Sequence, residues 1–134
     1  LNEMVHDVRF IPLDGRPHVS PDIRQWNGDS RGHWENDTLV VETTHYSDKT
    51  TWRGFPGAGR TLRAVERFTR VDRDTIDYQF TIHDATTYTR PWTVDLPLTN
   101  LPSYVIYEYA CHEGNYSIAN VLIGARAQER AAQQ

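Results

Sequence analysis

One cysteine, one methionine and one lysine in 134 residues already exclude several classes of protein. A single thiol, Cys111, makes no internal disulfide. Its neighbours Tyr109 and Ala110 read as strand, so a buried, inert thiol is the default. Apolar runs stop at four to six residues, too short to cross a bilayer as a helix. The first residues do not have the pattern of a signal peptide. Basic excess is missing too: the net charge is −4, which argues against a nucleic-acid groove. The six histidines, at positions 6, 18, 33, 45, 83 and 112, never stand in H-x-H or H-E-x-x-H spacing, so no local metal motif is written in the chain.

What remains is a globular composition, 38% hydrophobic and 24% charged, and a length that suits one domain over residues 1–134. Thirteen arginines stand against the one lysine, Lys49. Codon bias in a GC-rich genome accounts for that ratio; the planar guanidinium fork also suits carboxylate or phosphate recognition.

Threonine, tyrosine and tryptophan are abundant and alternation of period two is frequent, which favours strands. Residues 1–12 alternate as a strand. Asn36-Asp37 links two strands of a hairpin over residues 32–45, and Asp72-Arg73-Asp74 does the same over residues 61–84. The glycine- and proline-rich stretch 47–60 reads as a surface loop. Residues 87–96 give a further strand, which Pro91 pushes toward an edge or a bulge, and residues 104–112 give the last. Ile118, Val121, Leu122 and Ala125 then follow the helical stripe i, i+3, i+4, i+7, with Asn115 or Ser117 as cap. The expected fold is all-β. It is an antiparallel meander forming a calycin-like barrel or sandwich, more than about 40% strand against a base rate of 20–25%, with one C-terminal helix. Leu1 falls inside a strand, so a processed chain or the C-terminal part of a longer one is expected. That first strand would need a partner, either a preceding region or a second copy in a homodimer.

Chemistry concentrates in two stretches. Residues 107–116 place Glu108, His112, Glu113, Asn115 and Tyr116 where a strand gives way to the helix, which is acid–base equipment. Asp14, Arg16 and His18 surround an Asp-Gly turn that suits an anionic group. Arg31, Trp34 and Trp92 add charge and flat surface for a substrate. The expectation is that both stretches meet in one pocket, with His112, Glu113, His18, Arg16 and Asp14 catalytic. Glu108, Tyr116, Asn115, Arg31, Trp34 and Trp92 would bind substrate. No cofactor or metal is specified. Glu108 and His112 share a strand face but lie ~13 Å apart, too far for one ion. Gly28-Asp29-Ser30-Arg31-Gly32 matches the letters of a nucleophile elbow, yet the flanking strand and helix that motif needs are missing.

The strings IPLDGRPH, GDSRGHWENDTLVVETT, ERFTRVDRDTIDY, TRPWTV and YEYACHEGNY resemble a family of uncharacterised, mostly secreted bacterial proteins, over nearly the whole chain. Family members are longer, with a signal peptide and an N-terminal region, so the resemblance implies a secreted or periplasmic origin. It transfers no catalytic residue. This chain departs from the pattern at Asp84-Ala85, where relatives often carry Asp-Pro, and near Asn36, where they often have an extra glycine. Three readings follow. The first is a small hydrolase or lyase acting on a carbohydrate-like or aromatic molecule by His/Glu chemistry. The second is a calycin-like module binding a small molecule or glycan, with a metal-dependent oxidoreductase using His/Glu ligands beside it. The third is a structural domain of a larger exported protein.

Overall fold

The computed structural model describes residues 8–49, 60–107 and 113–132. Contacts divide the chain into two compact units, one of them Val8–Val105. That unit is a meander of five strands: β1 (Asp29–Glu35), β2 (Thr38–Thr44), β3 (Arg63–Arg70), β4 (Thr75–His83) and β5 (Trp92–Thr99). Each pairs antiparallel with the next. Among the described residues they form one sheet in the order of the sequence, with β1 and β5 at its ends.

Local chemistry sets the register. Asn36 adopts a left-handed backbone, φ 52°, which asparagine tolerates better than most residues. The tight link it makes fixes the pairing from Glu35↔Thr38 back to Asp29↔Thr44. At the β3–β4 turn the Asp72 carboxylate accepts from the Asp74 N–H at 2.8 Å. Pro97 lies in β5, an end strand that does not need every N–H for a ladder.

Period-two alternation separates two faces. The apolar face packs Ala64, Tyr78, Phe80 and Ile82 with Phe68, Trp92, Val94 and Leu96. Phe68 and Tyr78 stack at 4.7 Å between centroids. One residue in this face is not apolar: Glu66 is fully buried, accepts from the Tyr78 hydroxyl at 2.6 Å and pairs with Arg9. Arg9 belongs to a leading segment that crosses β1. There the Gly32 N–H donates to the Pro12 carbonyl at 2.9 Å, and Ile11 and Leu13 occupy the space that a side chain at Gly32 would need. The opposite face is polar and carries Arg31, Glu42, Arg63 and His83.

Two glycines at the ends of the GDSRG string differ in consequence. Gly28 has φ +69°, and a Cβ there would lie 2.6 Å from the Thr44 carbonyl oxygen. A Cβ at Gly32 meets only side-chain ends. Gly28→Ala is therefore expected to cost at least about 1–3 kcal/mol. Gly32→Ala should cost less than Gly28→Ala, about 1 kcal/mol at the low end of overpacking, as Leu13 and Ile11 shift. Urea unfolding midpoints of the two variants check this ranking.

Several sequence expectations need correction. Residues 8–12 and 104–107 form no strand, and the predicted strand over 87–96 begins only at Trp92. The strands, of 7, 7, 8, 9 and 8 residues, fall short of the expected two-fifths among the described residues. Alternation alone overcounted them, because an alternating stretch becomes a strand only where a neighbour takes its hydrogen bonds. Residues 1–7, most of the 47–60 loop, and Glu108, Cys111 and His112 lie outside the described residues.

The second unit contains helix α1 (Ser117–Ala132). The Asn115 carboxamide oxygen accepts from the Ser117 N–H at 3.0 Å, satisfying one of the free donors of the first turn. The helix has no buried residue. No helix among the described residues is long and apolar enough to cross a membrane.

Candidate metal centre

The β1–β2 register brings two chemical groups to one end of the sheet. Asp29 opens β1 opposite Thr44, the last residue of β2, so His45, one residue further on, stands beside it. A second constraint holds His45 there. Its carbonyl accepts from the Gln25 N–H at 3.0 Å, and the Ser47 N–H returns to the Gln25 carbonyl at 2.8 Å. The loop before β1 then delivers His18, whose Nδ1 lies 2.8 Å from Asp29 Oδ2. The His18 and His45 rings meet edge to face, 5.7 Å between centroids.

One ligand atom from each of His18, Asp29 and His45 falls within 4.8 Å of the others. Two imidazoles and a carboxylate on three separate segments form a donor set for a divalent transition metal. Asp29 is nearly buried, 6% exposed, and held from all sides. Arg31 Nη1 donates to its Oδ1 at 2.8 Å, and the Val19 N–H donates to Oδ2 at 3.1 Å. Burial works to raise the Asp29 pKa, but the hydrogen bonds from His18, Val19 and Arg31 outweigh it and hold the group below the ordinary range. Asp29 is therefore ionised, as a ligand must be.

His45 carries two marks of local cost. Its φ is +56°, a conformation worth about 1–3 kcal/mol of strain for a residue that is not glycine. Its Nδ1 is buried and has no hydrogen-bond partner. Burial, with the charges of His18 and Arg24, lowers its pKa, which keeps the ring neutral. On the polar face beside the triad, Glu42 Oε1 stands 3.9 Å from His18 Nε2. Glu42 is bound in turn by Arg63 Nη2 at 2.6 Å, and that bond lowers its pKa.

Of the sequence candidates, His18 and Arg31 reach this site. Arg31 acts as a brace rather than an open substrate contact: besides Asp29, its Nε donates to the Pro17 carbonyl at 3.0 Å, which fixes the backbone just before His18. Asp14 and Arg16 pair with each other at the surface. Trp92 packs on Phe80 and Tyr88 in the apolar face. Trp34, at the other end of β1, is 61% exposed. Glu113, Asn115 and Tyr116 are exposed residues of the second unit. Ser30 is buried and shares a hydrogen bond with Thr43 at 2.8 Å, as expected of a strand residue. Sequence reasoning missed Asp29 and His45. Extending the hairpin read over residues 32–45 back by three residues pairs position 29 with 44, as the structure does, and that register was the available signal. No family model, curated protein or solved structure matches the chain.

The titrations here give a signed expectation. A histidine whose folded pKa is depressed binds fewer protons folded than unfolded, so stability falls as pH drops below about 6.5. Depressed carboxylates, Asp29, Glu42 and Glu35, contribute stability above about pH 4 that is lost as pH falls through their folded values. Asp77, raised by its hydrogen bond with Asp95, acts in the opposite direction and offsets part of the second loss. A stability profile from pH 8 to 3 should decline in two stages; His45→Gln should remove the first.

Proposed function

We propose that the protein is a metal-dependent enzyme of the hydrolase or lyase type, acting on a polar small molecule at the centre formed by His18, Asp29 and His45. The observation that supports it is the convergence of three ligand types from the pre-strand loop, β1 and the end of β2. Asp29 Oδ1 is bound by Arg31, while Oδ2, which also accepts from the Val19 N–H, faces the histidines. Oδ2 shares a hydrogen with His18, and a proton and a metal ion compete for such a pair of donors. A divalent ion held there supplies Lewis acidity and a water of lowered pKa at neutral pH. Glu42, Arg63 and His83 then bind the polar substituents of the substrate on the same face. Trp34 and Trp92 belong to the apolar face, so charged and polar side chains rather than indole rings meet the substrate at this site. Secretion or periplasmic export, implied by the family resemblance, belongs to the same reading.

The test is metal content and activity together. Protein purified without chelator is expected to hold about one equivalent of a divalent transition metal per chain. Hydrolysis of nitrophenyl ester and glycoside probes should stop on chelation and return with Zn²⁺. A metal-free protein that also shows no binding heat with Zn²⁺ refutes the reading.

A calycin-like binding module is the second reading. It is favoured by a groove of about 380 Å³ on the apolar face, lined by Ile11, Trp34, Leu39, Phe68 and Ile76, with Arg70 and Asp37 also at the groove. Its volume is within the range of small-ligand pockets. Saturable quenching of Trp34 by an apolar ligand, indifferent to chelator, would favour this reading over the first.

A further inference from the structure

We infer that the substrate of this centre carries a carboxylate or phosphate group, which Arg63 receives. The inference rests on the metal reading and adds the class of substrate to it. Charge is its first ground. Among the described residues, the charged groups that act on Asp29, Glu42 and His45 include Arg24, Arg31 and Arg63, beside the two carboxylates and His83. A divalent ion adds two further positive charges, and an anionic group is then the natural complement in a protein whose overall charge is −4.

The arginines are not equivalent. Arg31 is spent: its bonds go to Asp29, Ser30 and Pro17, and its side chain is only 16% exposed. Arg24 donates through Nη1 to the Arg60 carbonyl, and its Nε is buried, out of reach of an arriving ligand. Arg63 has a single side-chain bond among the described residues, from Nη2 to Glu42, and its side chain is 42% exposed. Most of its five N–H donors are therefore open, in the fork geometry that matches carboxylate and phosphate. Glu42 aims that fork, because the carboxylate that binds Arg63 through Oε2 faces His18 through Oε1 at 3.9 Å.

The ground between the ion site and the fork is consistent with this. Thr44 is the cross-strand partner of Asp29, and the β2–β3 register places it beside Arg63. Its hydroxyl is buried and has no hydrogen-bond partner. An unmet buried hydroxyl of this kind is destabilising.

The experiment uses the full chain, stripped with chelator and reloaded with Zn²⁺. Inorganic phosphate and acetate are titrated separately into wild type, Arg63→Gln and Arg63→Lys, and read by chemical-shift changes. At least one of the two anions should bind wild type saturably, and the pair of titrations tells phosphate from carboxylate recognition. Arg63→Gln should weaken that binding by about ten- to a hundredfold, the worth of a charge-assisted contact, while Zn²⁺ affinity stays within a few-fold. Arg63→Lys keeps the charge without the fork and should fall between, which separates recognition from misfolding. Equal anion binding by all three proteins, or none by zinc-loaded wild type, overturns the inference and leaves the metal reading standing. Failure of Zn²⁺ to bind overturns both.

Discussion

His45→Gly is expected to weaken Zn²⁺ binding by at least about a hundredfold, since loss of even an outer partner of a metal ligand costs 10–100-fold. The same substitution should leave the metal-free fold as stable as wild type, or more stable by up to about 1 kcal/mol. Two features carry this divergence. The backbone at position 45 has φ +56°, which glycine adopts without strain. The buried Nδ1 has no hydrogen-bond partner, so its removal breaks no bond. His45→Ala should lose binding equally but keep the strain. Calorimetric titration with Zn²⁺ and urea unfolding of the chelated proteins measure the two effects separately. A stabilising substitution that destroys binding marks a residue retained for a ligand; one that damages fold and binding alike marks a packing residue.

The largest effect on stability is expected at Glu66. Its carboxylate is fully buried in the apolar face, between Arg9 and the Tyr78 hydroxyl. Glu66→Ala removes the carboxylate that accepts from the Tyr78 hydroxyl and pairs with Arg9, and opens a void in the apolar face. The expected loss is about 3–5 kcal/mol, the usual consequence of removing one partner from a buried charge pair. Arg9→Ala should cost a comparable amount at neutral pH, because it removes the counter-charge from a fully buried carboxylate, whereas the guanidinium left by Glu66→Ala is 24% exposed and reaches water. Glu66→Leu is the discriminating control. If packing dominates, it recovers part of the loss, as apolar replacements of buried ion pairs often do. Urea midpoints at constant slope read all three.

Hairpins and helix were legible because their signals are local. Asn36-Asp37 marked the β1–β2 link, Asp72-Arg73-Asp74 the β3–β4 link, and the stripe from Ile118 the helix that runs from Ser117. The strand expected over 104–112 was not realised at 104–107, because alternation states only that a segment can pair, not that a partner lies beside it. Glu66 was legible in principle: between Ala64 and Phe68 it falls on the inward register, and a carboxylate there demands a buried partner.

The site was half legible. His18 and Arg31 were candidates for their chemistry. Asp29 and His45 were obscured because candidate ligands on separate segments leave no spacing motif. They meet through the hairpin register and the Gln25 bridge, and Arg31, by holding the Pro17 carbonyl, helps to bring His18 to them. The stretch around Glu108 and His112 drew attention through density of polar groups alone, which does not distinguish a solvated strand end from a site.

The most direct test of the metal centre is the position of a bound ion. Anomalous diffraction from crystals of the zinc-loaded protein should place one ion within about 2.0–2.2 Å of a nitrogen of His18, a nitrogen of His45 and an oxygen of Asp29. An ion held by other residues, or no ion at the end of β1 and β2, would contradict the account.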